Sequence, residues 1–172
     1  TEVIKLKIYA TIFIKSRCQI NIIRNNSLNS SLFIFKTKFV GSHCWKLVVP
    51  LHLKITSLQS HQTRSDTVLR LSKVMFKNSC SIVSGGVFSV VQFNSSRCPH
   101  RNKNISVIID ESLFYNNTSE LSGGAIYITN TGQVIIRRSK FLNNQAISGG
   151  AIYAENIITL VILDTILHSN TA

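Results

Sequence analysis

Acidic residues are few in this chain: 7 Asp and Glu stand against 19 Lys and Arg, a formal net charge of +12 over 172 residues. Such a balance favours polyanionic partners over cationic ones. The cations are nevertheless scattered, with no run longer than two, so nucleic acid is not expected as the partner. Proline (2), methionine (1) and tryptophan (1) are also rare. No apolar run approaches the roughly 20 residues of a membrane-spanning helix. The longest, residues 157–163, is strand-sized and broken by Thr159, so no membrane span is expected within this stretch. The four cysteines, Cys18, Cys44, Cys80 and Cys98, contain no CxxC pair, which argues against zinc ribbons and dithiol redox motifs. The chain begins at Thr1 rather than Met. It reads as an excerpt whose signal peptide and flanking domains lie elsewhere.

What the sequence has instead is a repeat, the first thing to seek in any chain. SGGAIY occurs at residues 122–127 and again at 148–153, and the segments before each copy also correspond. A weaker copy runs over 71–90, and another begins at 160. Aligned on these, anchors fall at Phe39, Phe76, Phe114, Phe141 and Leu167. Apolar residues amount to 44%, in short alternating segments rich in β-branched and aromatic residues and bounded by Asn, Gly and Ser. This pattern belongs to strands rather than helices. Units of this length with polar corners imply a parallel β-helix, in which each strand pairs with its equivalent one turn away at a spacing of about 4.8 Å. The clear repeats cover 74–172, degenerate coils cover 1–73, and a polar insertion occupies 94–104. Together they make one domain over 1–172.

Stacking predicts ladders. The Phe anchors should form an inward aromatic file, and Asn117, Asn144 and Asn170 an internal asparagine ladder at a tight corner, where asparagine tolerates left-handed backbone. Phe88, Ile126 and Ile152, with Val90, Ile128 and Ala154 beyond them, should face inward. Ala125, Tyr127, Ala151 and Tyr153 should then face outward. The glycine pairs Gly85 and Gly86, Gly123 and Gly124, Gly149 and Gly150 are read as coil corners. A phosphate-cradling role is disfavoured because a strand follows them and no GxxxxGK[ST] is present.

Candidate chemistry is thin. Glu111, Arg138 and Asp164 should share one vertical file, with Asp110 beneath Arg137. Glycosidic catalysis needs two carboxylates roughly 5–10 Å apart, and Arg138 stands between the only pair that fits. His43 beside Cys44 and His100 near Cys98 lack the paired half-sites of zinc centres. No catalytic residue, cofactor or metal is assigned. Two disulfide connectivities are open, Cys44–Cys80, or Cys80–Cys98 with Cys18–Cys44. Tyr127, Tyr153, Arg137, Arg138 and Lys140 form a candidate surface patch for sugars or acidic polymers. Glycosylation sequons start at Asn25, Asn29, Asn94, Asn104, Asn116 and Asn117, which together with the cysteines points to an oxidising, extracellular setting.

The quoted segments also carry a resemblance. FYNN followed by GGAI (114–117, 123–126) and FLNN followed by GGAI (141–144, 149–152) resemble the FxxN and GGA[I/L/V] tetrapeptides of the chlamydial polymorphic outer membrane protein repeats. More broadly they resemble pectin-lyase-like right-handed β-helices. The resemblance implies an all-β, right-handed single-stranded parallel β-helix solenoid of about 6–7 coils. It also implies a surface-displayed, adhesin-like passenger, extracellular or at the cell surface. The expected function is a non-catalytic scaffold for adhesion, with glycans or cell-surface proteins as partners. Alternatives are a polysaccharide lyase or glycoside hydrolase of pectin-lyase type, and anionic-polymer binding through a basic face.

Overall fold

The computed structural model describes residues 3–9, 12–14, 18–24, 29–40, 51–57, 67–82, 84, 87–94 and 105–172. Its elements are strands, and each pairs in parallel with its neighbours. They recur in a fixed cycle. The first pass comprises β1 (Val3–Tyr9), β2 (Ile12–Ile14) and β3 (Cys18–Arg24), and the second β4 (Asn29–Phe35), β5 (Lys38–Val40) and β6 (Leu51–Ser57). The third contains β7 (Thr67–Ser72), β8 (Met75–Lys77), β9 (Cys80–Ser81) and β10 (Phe88–Asn94). The fourth contains β11 (Ile105–Asp110), β12 (Leu113–Tyr115), β13 (Thr118–Ser119) and β14 (Ile126–Thr129). The fifth has β15 (Gln133–Arg137), β16 (Lys140–Leu142) and β17 (Ile152–Glu155); β18 (Thr159–Leu163) and β19 (Ile166–His168) open the sixth.

Every pass enters the same sheets in the same order. Sheet 1 runs β1-β4-β7-β11-β15-β18, sheet 2 runs β2-β5-β8-β12-β16-β19, and sheet 3 runs β3-β6-β10-β14-β17. A two-stranded sheet of β9 and β13 lies between sheets 2 and 3 along the chain. Alternation does the sorting. In β7 the burial alternates between buried and half-buried, so Leu69 and Leu71 face the core. Register then stacks like on like: Leu32, Leu69, Val107 and Val134 form one file, and Ile34, Leu71, Ile109 and Ile136 the next.

The anchors build the aromatic spine. Phe39 and Phe76 stack with centroids 4.6 Å apart, Phe76 and Phe114 at 5.2 Å, and Phe114 and Phe141 at 4.6 Å, all within 15° of parallel. Each ring is buried, which stabilises by about 2–3 kcal/mol per side chain. Leu167 continues the register above Phe141 but is 50% exposed, because β19 is the outer strand of its sheet.

Two tight corners explain the repeat letters. Between sheets 1 and 2 the chain turns on Lys36, Lys73, Glu111, Arg138 and Asp164, each at positive φ. The following hydroxyls form a ladder: Ser112 Oγ accepts from Val74 N, Ser139 Oγ from Ser112 N, and Thr165 Oγ1 from Ser139 N. After sheet 2 the chain turns on Asn78, Asn116, Asn143 and Ser169, again at positive φ. The left-handed residue is therefore the first asparagine of FYNN and FLNN, a correction to the expectation for Asn117 and Asn144. Those second asparagines turn inward, where left-handed backbone is not required. Asn117 Nδ2 donates to Asn144 Oδ1 at 2.9 Å, and Asn144 Nδ2 donates to Asn170 Oδ1 at 2.9 Å. The same amides also bond the carbonyls of Phe76 and Phe114. Asn117 is fully buried within this ladder, so a glycan on it would be incompatible with the fold.

The glycine pair divides its labour. Gly123 and Gly149 occupy positive φ. Gly124 and Gly150 permit close approach, since a Cβ on Gly124 would overlap the Gly150 carbonyl oxygen and one on Gly150 would overlap that of Thr171. Gly85 and Gly86 lie outside the described residues. The same crowding corrects the outward assignment of Ala125 and Ala151. Both are buried, because the chain is still rounding the corner there and alternation starts only at β14 and β17. Phe88, Val90, Ile126 and Ile128 are buried, whereas Ile152 is half-buried and Ala154 exposed on the outermost strand of sheet 3.

Phe114→Ala should cost about 3–5 kcal/mol by opening a cavity inside the ring stack. Asn144→Ala should cost on the order of 2–3 kcal/mol by orphaning buried backbone groups, whereas Asn143→Gly should be close to neutral because glycine accepts the left-handed turn. Urea denaturation followed by circular dichroism ranks the three variants.

Candidate functional site: the charged corner

The corner between sheets 1 and 2 gathers most of the described acid and base chemistry. Asp110 ends β11, opposite Ser72 on one side and Arg137 on the other. Its side chain is only 4% exposed because guanidinium groups cover it. Arg138 donates from Nη2 to both carboxylate oxygens at 2.8 Å and from Nε to Oδ1 at 3.1 Å. Arg137 Nη2 adds a bond at 3.2 Å, and Arg70 Nη2 stands 3.9 Å from Oδ2. Glu111 sits one residue on, between Lys73 at 3.5 Å and Arg138 at 3.4 Å.

Arg138 reaches Asp110 because its own backbone is at the left-handed corner, one position past the end of β15. Glu111 and Asp164 occupy the equivalent corner position in the neighbouring passes. Arg138 is ion-paired to Glu111, while Asp164 acts on it through its field. Burial alone would push the Asp110 carboxyl up; the hydrogen bonds from Arg138 and Arg137 and their charge hold it below the ordinary carboxylate value. The bond to Asp110 and its charge raise Arg138 further above its usual value. Asp110 and Glu111 are thus both committed to cations. Neither stands as a free partner for Asp164 in the paired-carboxylate geometry that glycosidic chemistry requires.

The candidate patch is divided by the topology. Tyr127 and Tyr153 stack at 5.3 Å and 11° on the outer side of sheet 3. The Tyr153 hydroxyl donates to Glu155 Oε2 at 3.4 Å, and that carboxylate pushes the phenol pKa up. Arg137 belongs to sheet 1, Arg138 to the corner and Lys140 to sheet 2. The chain rounds a corner between the tyrosines and these cations, so proximity in sequence does not become one surface. Two ladders carried no expectation. The serine file was signalled by a hydroxyl two residues before each of Phe114, Phe141 and Leu167, and an Asn130–Asn156 pair occupies the corner before sheet 1.

Cys80 opens β9 opposite Thr118 and is disulfide-bonded. Cys44 and Cys98, its candidate partners, lie outside the described residues, as does the side chain of Cys18. His43 and His100 lie there too. No group of three or more potential metal ligands occurs among the described residues.

The Asp110 clamp predicts a pH signature. Its folded-state pKa is depressed, so its stabilisation is complete above the ordinary carboxylate value near 3.8 and is lost as pH falls through the folded value. Asp110→Asn should destabilise at neutral pH by roughly 1–3 kcal/mol, between exposed and buried ion pairs. The gap to the parent should close in acid. Paired urea titrations from pH 7 down to about 2 check it.

Two stretches of the chain, residues 111–129 and 139–155, match the family model of the Chlamydia polymorphic membrane protein repeat. Each runs from the corner between sheets 1 and 2, through a Phe-x-Asn-Asn turn and a Gly-Gly corner, to the end of a sheet 3 strand. Together they cover well under half of the chain. No curated protein and no solved structure matches it.

Proposed function

We propose that this chain is a right-handed parallel β-helix of six or seven coils, displayed at an outer membrane or cell surface, that serves as a non-catalytic scaffold for adhesion. The observation that carries this reading is the division of labour within the repeat. The Phe, Asn and Gly-Gly letters shared with the membrane protein repeat are spent on ladders and corners, which leaves the outward residues between them free to vary. Right-handedness follows from the strong preference of parallel strand crossovers. A disulfide at Cys80 fits export into an oxidising compartment. The engagement of Asp110 and Glu111 by cations favours the scaffold over a lyase or hydrolase.

Beads coated with the chain should adhere to cultured cells above uncoated beads, and a tag in the polar segment 94–104 of the parent polypeptide should be labelled on intact cells. Adhesion no better than uncoated beads would defeat the adhesive role. Labelling only after permeabilisation would defeat surface display.

A further inference from the structure

The cations whose side chains are described look scattered in the sequence but are segregated in space. Arg24 and Lys54 stand on the sheet 3 strands β3 and β6, and Glu155 accompanies the tyrosine pair of that sheet, but none of the Lys and Arg residues whose side chains are described lies there. They fall instead on sheet 1, on sheet 2 and on the corner between them. In the third pass these are Arg70, Lys73 and Lys77; in the fifth, Arg137, Arg138 and Lys140. The second pass adds Lys36 at the corner and Lys38 on β5. Lys36, Lys38, Lys73, Arg138 and Lys140 are exposed, and Arg70 and Arg137 remain 41% and 38% exposed while touching Asp110.

We infer that this corner is a binding ridge for a linear polysaccharide bearing sulfate or carboxylate groups. The inference rests on the surface role proposed above and specifies the chemistry of the partner. Three features support it. The cations form a line along the stacking direction, as an extended polymer requires. The acids on the same faces are satisfied or few: Asp110 is 4% exposed beneath its arginines, Glu111 lies between Lys73 and Arg138, and Asp164 is a single uncovered carboxylate at the far end. Asp110 also holds Arg138 and Arg137 in place by hydrogen bonds, which lowers the ordering cost of recognising an anion.

Spacing chooses among polyanions. The third and fifth passes are two strand spacings apart, about 9.6 Å, close to the length of a disaccharide. Nucleic acid places a phosphate every ~3.4 Å per strand and stacks its bases on aromatic rings. Outward aromatics along this ridge are already engaged: Tyr115 lies beneath Lys77 at 5.3 Å, and Phe35 lies beneath Lys36 at 5.5 Å and edge-on to Tyr9 at 6.0 Å.

The test titrates the full 172-residue chain with size-defined heparin over a salt series, with single-stranded DNA of equal charge as competitor. Heparin should bind, with log affinity falling linearly as log salt rises. The double reversal Lys38→Glu with Lys140→Glu should weaken binding on the order of tenfold or more, with an unchanged circular dichroism spectrum. Tyr127→Ala, on sheet 3, should bind as the parent does. Absence of heparin binding at low salt overturns the ridge, as does full affinity in the reversed variant or displacement of heparin by DNA. Cell adhesion that survives both heparin and the reversal overturns the ridge while leaving the surface role standing; parent beads that never adhere overturn the surface role itself.

Discussion

Parallel pairing at a fixed rise is the constraint on which everything else depends. Once Phe114 is hydrogen-bonded in register with Phe76 on one side and Phe141 on the other, each side chain meets its own equivalent about 4.8 Å away. Every file must then tolerate contact with itself. Phenylalanine does so by stacking, and asparagine by offering a donor and an acceptor at opposite ends of one amide. Serine and threonine do so by accepting from the preceding pass while donating to a carbonyl two residues back. With the aliphatic files of sheet 1, these are the residue types found in the buried files.

Charge is the case that does not tolerate self-contact. A file of like charges at this spacing repels, and from the third pass onward the corner between sheets 1 and 2 relieves this by inserting Glu111 between Lys73 and Arg138, while Lys36 and Lys73 stand as like-charged neighbours before it. The corner backbone is itself costly, since a non-glycine residue at left-handed φ loses roughly 1–2 kcal/mol. The Asp110 clamp and the serine ladder offset that cost where the strain sits. Structural support and the presentation of cations therefore come from one group of residues, and the basic face is a by-product of how the corner is held.

Several features were legible in the sequence because the period made them so. The spacing of Phe76, Phe114 and Phe141 implied one file, and the alternation in residues 126–128 implied which of Ile126, Tyr127 and Ile128 turns inward. Corners were less legible, because alternation fails where the chain is neither strand nor free loop. Ala125 and Ala151 are buried by that route, and the left-handed position falls on Asn116 and Asn143 rather than on their neighbours. The serine file escaped notice because Ser112 and Ser139 look like ordinary polar residues until their hydroxyls are seen accepting from the preceding pass.

The sequence by itself determined the period, the parallel stacking and the phenylalanine and asparagine files at 76–141 and 117–170, because a repeat in one dimension dictates contacts between equivalent positions. Only the tertiary structure decided which surfaces exist. Tyr127 and Arg137 are ten positions apart in the chain yet belong to different sheets, while Arg70, Asp110 and Arg138 come from three passes and meet at one carboxylate. The physical reason is that a surface is made across passes, along the stacking direction. Residues distant in sequence become neighbours there, and residues close in sequence are turned away from one another at every corner.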